Sequence, residues 1–259
     1  MHADATASNA PWEQSLTKTL KKPRLTPITY SSAVGAVKTT GWANLDFFTS
    51  GAGSETAARV DARVAAGAQV LPPAGDIFKA LELTQPDQVR AVILGQDPYP
   101  TPGDAHGLAF SVANPEQRIP ASLRTIFTSL EVDLGITRPA HGNLTQWAHS
   151  GILLLNVTLS VEAGKANSHK DFGWAALAGE IMQRLNERAT PVVFMLWGKF
   201  AQHAGAGVDR SRHCVIETVH PSPLARGAGP QHRFVTSRPF TQAQEWLLLR
   251  GLPPIDWRL

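Results

Sequence analysis

The 259-residue sequence predicts a three-layer α/β fold, in which helices cover both faces of a central, twisted, mostly parallel four-stranded sheet. Four short apolar runs lack polar alternation, which is typical of strands buried on both faces. Helical patterns lie between these runs, and strands that alternate with helices pair in parallel through right-handed crossovers. The predicted strands are Val89–Leu94, Ile152–Leu155, Val192–Trp197 and Cys214–Val219.

The chain begins with residues 1–38, which mix small, polar and basic residues without periodicity and predict a flexible, basic leader. Residues 1–40 hold five basic and two acidic side chains, and the whole chain holds 24 and 21, so the remainder is balanced at 19 each. The leader therefore either adds salt-sensitive attraction to nucleic acid or is simply a solvated tail. Residues 39–259 are predicted to form one domain.

Helical spacing and capping residues predict four helices within this domain. They are a short helix at Gly75–Leu83 capped by Asp76, a helix from a Ser122 cap to about Leu134, a helix whose buried face carries Trp174, Leu177, Ile181 and Leu185, and a last helix with a capping box of Thr241 and Gln244.

Several classes of protein are excluded by what the sequence lacks. No apolar run is long enough to span a bilayer and the N-terminus lacks the apolar stretch of a signal peptide, so we expect a cytoplasmic protein, nuclear in a eukaryote, with no membrane partner. The single Cys214 lies in an apolar run and is predicted to be a core residue. Neither zinc-ligand spacing nor a glycine-rich nucleotide motif is present, so we expect no metal and no cofactor.

Polar or proline-rich clusters follow each predicted strand. They are Gln96 to Tyr99, Asn156, Gly198 with Lys199, and His220 to Leu224. Because ligands of open parallel sheets bind outside the carboxyl ends of the strands, we expect these clusters to converge on one site. An Asp, a His, an Asn and an aromatic ring at one place are typical of an active site that does not use a metal.

The segments GQDPYPTPGDAHGLAFSV, LLLNVTLSVEAGKANSHKDFGW and HPSPL resemble family-1 uracil-DNA glycosylases, and the resemblance covers roughly residues 42–259. It implies a DNA repair enzyme that flips uracil out of single- or double-stranded DNA and hydrolyses its N-glycosidic bond. It also implies a monomer, and a possible protein inhibitor that mimics DNA.

The resemblance implies two catalytic residues. Asp97 would orient the attacking water and face the cationic sugar, while His220 would stabilise negative charge on the leaving base. Taken alone, Asp97 before Pro98 is typical of a turn, and an isolated histidine at a strand end is usually structural. Their occurrence together, in the expected order, favours the catalytic interpretation.

The resemblance also implies a uracil pocket. Asn156 would read the uracil edge, Phe110 would stack on the base, Tyr99 would occupy the space of a thymine methyl, and the backbone amides of Gln96 and Asp97 would complete the pocket. Outside this context, Asn156 is ordinary turn chemistry and Phe110 an ordinary core residue.

Six residues are expected to contact DNA. Leu224 resembles the apolar wedge that fills the gap left by the flipped base, and the other five would lie along the backbone: Pro98, Ser122, Lys199, Ser222 and Arg226. The chain departs from the family at Pro100, Lys199 and Ala225, which is expected to change DNA affinity and its salt dependence rather than activity. A DNA-binding relative with weak catalysis and a hydrolase of free nucleosides are the competing hypotheses.

Overall fold

All four predicted strands form one parallel sheet in the computed structural model. The structure describes residues 28–114, 116–225 and 233–259. Three of the runs are rich in branched or aromatic residues and are buried at every position, so they lack polar alternation. The run at Cys214–Thr218 differs from the prediction, because this edge strand alternates and leaves Glu217 exposed. The strands are β2 (Ala91–Gly95), β3 (Ile152–Asn156), β5 (Val193–Trp197) and β6 (Cys214–Thr218), and a separate antiparallel pair is β1 (Val70–Leu71) with β4 (Val161–Glu162). The order of the strands in the sheet is β3-β2-β5-β6, with all neighbours parallel.

Helices connect the strands and pack on the sheet. Trp174, Leu177, Ile181 and Leu185 are all buried, so the predicted apolar face of their helix is confirmed. Cys214 is buried as predicted. The α-helices in the described ranges are α1 (Tyr30–Ala36), α2 (Asp46–Thr49), α3 (Ala52–Ala65), α4 (Lys79–Leu83), α5 (Ala121–Leu134), α6 (Thr145–His149), α7 (Trp174–Asn186), α8 (Lys199–Ala204), α9 (Arg233–Thr236) and α10 (Pro239–Leu248).

The predicted leader extends too far along the chain. Residues 30–36 form α1, and a 3₁₀ turn follows at Val37–Thr39. Tyr30 is buried, its hydroxyl donates to the carbonyl of Pro72 at 2.6 Å, and its N–H donates to Asp61 at 2.9 Å. These contacts join positions far apart in sequence, so local periodicity does not reveal them. The prediction for residues 1–27 lies outside the described residues.

Three predicted helix caps are wrong. Ser122 lies inside the first turn of α5, which no side chain caps. The N-terminus of α10 is capped by a distant residue, because the carboxylate of Asp133 accepts the N–H groups of Phe240 and Thr241 at 2.8 and 3.0 Å. Asp76 accepts a hydrogen bond from the side chain of Lys79, and α4 begins only at Lys79.

Candidate active site

A cavity of about 180 Å³ opens at the carboxyl ends of β2 and β3. Segments far apart in sequence meet there, because parallel strands place their carboxyl ends at one edge of the sheet. The convergence predicted from the sequence is therefore observed for the residues after β2, at the end of β3 and after β6. The predicted residues that line the cavity are Gln96, Asp97, Pro98, Tyr99, Phe110, Ser122, Asn156 and His220.

The register of the two central strands sets the position of Asn156. Gly95, the last residue of β2, is paired with Asn156, the last residue of β3. A Cβ atom on Gly95 would lie 2.2 Å from Oδ1 of Asn156, so only glycine leaves room for this amide. Asn156 is 7% exposed and its amide borders the cavity. The resemblance implied a role for Asn156, whereas Gly95 was not singled out.

Asp97 is half-buried immediately beyond β2. Burial raises the pKa of its carboxyl above the ordinary value of 3.8, and hydrogen bonds from the N–H groups of Asn167 and of Asp97 itself oppose this shift. The N–H of Asn167 donates to Oδ2 at 2.7 Å. The carboxylate is thus fixed in orientation while remaining at the cavity wall.

Asn167 is a residue whose role the sequence left unassigned. Its backbone has a φ of 62°, and its side-chain Oδ1 accepts a hydrogen bond from Nε2 of Gln96. The same residue therefore contacts both Gln96 and Asp97. A further hydrogen bond, from the N–H of Gly164 to the carbonyl of Pro100 at 2.8 Å, ties this loop to the segment after β2.

Residues 168 and 169 anchor the loop that carries Asn167. Ser168 Oγ accepts the N–H of Glu162 at 2.8 Å, and the buried ring of His169 contacts Ser160 Oγ through Nδ1 at 2.8 Å. Burial lowers the pKa of His169. The string ANSHK thus has a structural explanation, because one residue binds Asp97 and the next two hold that residue in place.

Tyr99 and Phe110 are joined by one hydrogen bond. The Tyr99 hydroxyl donates to the carbonyl oxygen of Phe110 at 3.2 Å. Burial, with a smaller contribution from the carboxylate of Asp104, raises the pKa of Tyr99, so the phenol keeps its proton. Phe110 has a φ of 64°, and its ring centroid lies 5.9 Å from that of His220. Two aromatic walls and the imidazole therefore enclose one space.

The segment that leads to Phe110 is held by a buried histidine. Nε2 of His106 lies 2.6 Å from Oγ of Ser111, which also accepts the N–H of Leu144 at 2.8 Å. Burial and the nearby Lys79 lower the pKa of His106 to about 4, with a smaller opposing effect of Asp76, so its ring is neutral at neutral pH.

The tautomer of His220 follows from its hydrogen bond to the next turn. The N–H of Ser222 donates to Nδ1 at 3.0 Å, so Nδ1 is an acceptor and a neutral ring carries its proton on Nε2. Gly198 permits this position, because a Cβ there would lie 3.0 Å from Cβ of His220. A neutral imidazole with an N–H at this cavity can donate to a developing anion.

Of the residues expected to contact DNA, Pro98 and Ser122 line the cavity. Leu224 is 96% exposed, and its N–H donates to Oγ of Ser222 at 3.3 Å. Lys199 is exposed at the start of α8, and Pro98 is buried but lines the cavity. Arg226 lies outside the described residues.

Two features are absent from the part of the chain that the structure describes. Residues 28–114, 116–225 and 233–259 contain no cluster of three or more side chains suited to hold a metal ion. Within the same ranges, none of the helices combines the length and apolar character needed to cross a membrane.

Comparisons with known proteins agree with this geometry. The family model described as the uracil DNA glycosylase superfamily matches residues 82–247. A curated uracil-DNA glycosylase of Sinorhizobium medicae is 51% identical over 193 residues, which are 74% of this chain and 78% of that protein. The crystal structure of mimivirus uracil-DNA glycosylase has a TM-score of 0.73 at 25% identity, over 79% of this chain and 80% of that one.

A structure of a mimivirus UNG variant in complex with UGI has a TM-score of 0.77 at 23% identity, over 91% of this chain and 97% of that one, and supports the α/β fold alone. The family-model match and the bacterial relative decide the family. The chain belongs to the uracil DNA glycosylase superfamily.

Proposed function

We propose that this chain flips uracil out of DNA and hydrolyses its N-glycosidic bond, releasing free uracil and leaving an abasic site. The observation that carries the proposal is the meeting of the Asp97 carboxylate and the neutral His220 imidazole on one cavity, with the Asn156 amide at its wall. Uracil excision in DNA repair is also the activity that the curated relative is named for.

The two catalytic residues act on opposite charges. As the bond from C1′ to the base breaks, its electron pair leaves with uracil and the sugar becomes a cation. The Asp97 carboxylate, oriented by the N–H of Asn167, stabilises that cation and positions the water that adds to C1′. The Nε2–H group of His220 donates a hydrogen bond to the uracil anion and keeps its proton. The proton released by the water balances the charge of the base, so the products are neutral uracil and an abasic sugar.

Base selection is assigned to three residues of the same cavity. Asn156 offers a donor and an acceptor to the uracil edge, and cytosine presents a donor where uracil presents an acceptor. Phe110 stacks on the base, and Tyr99 occupies the space that the methyl of thymine needs. The backbone amides of Gln96 and Asp97 complete the hydrogen-bonding edge.

Six residues are proposed to contact the DNA on either side of the flipped uracil. Leu224 is exposed and unsupported by neighbours on most of its surface, as expected for a wedge that enters the base stack. Ser122, Ser222 and Lys199, with Pro98 at the cavity wall, are proposed to contact the backbone of the uracil strand. Arg226 is assigned to the same surface from the sequence.

We extend the proposal to the setting of the enzyme. It is expected to act as a monomer in the cytoplasm, on single- or double-stranded DNA that contains uracil. A protein inhibitor that mimics DNA is expected to bind the same surface.

The test is release of uracil from an oligonucleotide, detected as an alkali-labile break at the uracil position. We expect breaks with the wild type, and a loss of about 10²–10³-fold in turnover for Asp97→Asn, the range for removing one preorganised electrostatic group. Asp87→Asn is the matched control, because Asp87 is exposed and precedes β2 while Asp97 follows it.

The outcomes separate the competing hypotheses. A DNA-binding relative would bind the oligonucleotide without breaking it. A nucleoside hydrolase would release uracil from deoxyuridine as readily as from DNA. Wild-type turnover in Asp97→Asn would refute the role of this carboxylate.

A further inference from the structure

A second cavity lies beside the catalytic one, on the other side of His220. It measures about 190 Å³ and shares Gln96 and His220 with the first cavity. Its remaining walls are Leu94 and the segment 197–201. The two cavities are therefore neighbours at the carboxyl edge of the sheet.

The second cavity lies at the carboxyl ends of β2 and β5, where the strand order of the sheet reverses. The chain leaves β2 toward β3 at one edge of the sheet, whereas it leaves β5 toward β6 at the other edge. The carboxyl ends of β2 and β5 thus flank the point where the strand order reverses. Ligands of open α/β sheets bind in the crevice at this point.

The side chains at its rim combine an aromatic ring and a cation. Phe200 is 46% exposed, whereas the other phenylalanines are buried or pack partly against the core. Lys199, next to it, is exposed and forms no ion pair with any residue in the described ranges. An aromatic platform beside a cation is the combination that binds a nucleotide through its base and its phosphate.

We propose that Phe200 and Lys199 form a subsite for the nucleotide that adjoins the flipped uridine, whose base stacks on Phe200 and whose phosphate contacts Lys199. The proposal rests on the proposed function, because His220 must hold uracil for the adjoining nucleotide to reach this cavity. Stacking does not depend on base identity, so the subsite would add affinity without sequence preference.

The experiment is a cycle of protein and substrate changes. Single-stranded oligonucleotides carry one uracil, with the 5′ neighbour, the 3′ neighbour or neither replaced by an abasic tetrahydrofuran residue. Wild type, Phe200→Ala and Phe200→Trp are compared by kcat/KM and by fluorescence anisotropy binding. Leu249→Ala is the control, because Leu249 is 85% exposed next to α10.

We expect loss of one neighbouring base to lower the wild-type kcat/KM by about 5- to 150-fold, the range for one stacked base. Phe200→Ala should lower kcat/KM by the same factor on the intact oligonucleotide. On the oligonucleotide that lacks the stacked base, its kcat/KM should equal that of the wild type. Phe200→Trp should keep the wild-type pattern, and Leu249→Ala should match the wild type on every substrate. Lys199→Gln should flatten the log-log salt dependence of binding by about 0.7, the value for one phosphate of a single strand.

The proposal is overturned if Phe200→Ala equals the wild type on the intact oligonucleotide, or if its loss multiplies with that of the abasic neighbour. Either result would assign the exposed ring to another purpose, such as contact with a protein. A wild type that releases no uracil defeats the proposed function instead. In that case, the binding of the intact and abasic oligonucleotides to the same variants, measured by fluorescence anisotropy, still tests the subsite.

Discussion

Replacing Tyr99 by alanine tests the wall that is proposed to exclude thymine. A pocket that can relax discriminates a single methyl by only about 1–3 kcal/mol, or about 10- to 200-fold. Tyr99 is fixed more firmly than such a pocket, because prolines flank it on both sides and its hydroxyl donates to the carbonyl of Phe110 at 3.2 Å. We therefore expect Tyr99→Ala to gain measurable thymine excision, with a fall of at least about tenfold in the preference for uracil.

The measurement is single-turnover excision from matched duplex oligonucleotides that carry uracil or thymine at the same position. Tyr99→Phe is the control, because it keeps the ring and removes only the hydrogen bond to Phe110. Loss of one hydrogen bond of this kind costs about 0.5–1.5 kcal/mol, so uracil excision should fall by no more than about tenfold, and thymine should stay excluded. The reasoning is refuted if Tyr99→Ala still ignores thymine while it excises uracil, or if Tyr99→Phe accepts thymine equally well.

Two further predictions concern stability and the duplex. Burial raises the pKa of Asp97 above 3.8, so the folded state loses stability as the pH rises from 3.8 through the raised value. Asp97→Asn should therefore raise Tm at pH 7 and lose this advantage below pH 3.8, whereas Asp87→Asn should not; a Tm gain independent of pH would contradict the argument. Leu224 is 96% exposed, so Leu224→Ala should leave Tm unchanged and should reduce excision from duplex more than from single strands. Equal losses on both substrates would count against a wedge.

The sheet could be predicted because its signal is local. The strands β2, β3 and β5 are short apolar runs that are buried at every position, and only the edge strand β6 alternates. The observed bounds of all four strands differ from the predicted ones by two residues or fewer, as for β2 at Ala91–Gly95. The convergence of polar clusters on one edge then followed from parallel pairing alone.

The helix ends and the start of the domain could not be predicted, because distant residues determine them. The N-terminus of α10 is capped by Asp133, over a hundred positions earlier. The helix α1 is held by hydrogen bonds to Asp61, which lies within α3, and to Pro72, which directly follows β1. Within α3, only Gly53, Thr56, Ala57 and Val60 are buried, so the Ala-rich segment carried little apolar periodicity.

The sequence motifs predicted most of the candidate site but assigned no role to two residues that position its side chains. Asp97, Asn156 and His220 could be proposed because each lies in a motif of the family resemblance, at or just beyond the end of a predicted strand. The motifs did not reveal the roles of Gly95 and Asn167, since one contributes a missing Cβ and the other an N–H group. Neither contribution can be recognised until the fold places the partner.

Backbone strain is concentrated beside the catalytic groups. Three residues other than glycine have positive φ values in the described ranges, and two of them, Phe110 at 64° and Asn167 at 62°, contact the site. Such conformations cost about 1–3 kcal/mol each and persist only where the surroundings fix them. The hydrogen bond from Tyr99 fixes Phe110, and the bonds to Gln96 and Asp97 fix Asn167.

This strain is therefore offset during folding rather than during substrate binding. A cavity whose walls are already fixed need not reorganise when uracil enters, so more of the binding energy remains to unstack the base from the duplex, which costs a few kcal/mol. The same rigidity explains why discrimination can exceed what a flexible pocket achieves. Because Pro98 and Pro100 hold the backbone on both sides of Tyr99, its ring cannot move aside for one methyl even when the hydrogen bond to Phe110 is removed.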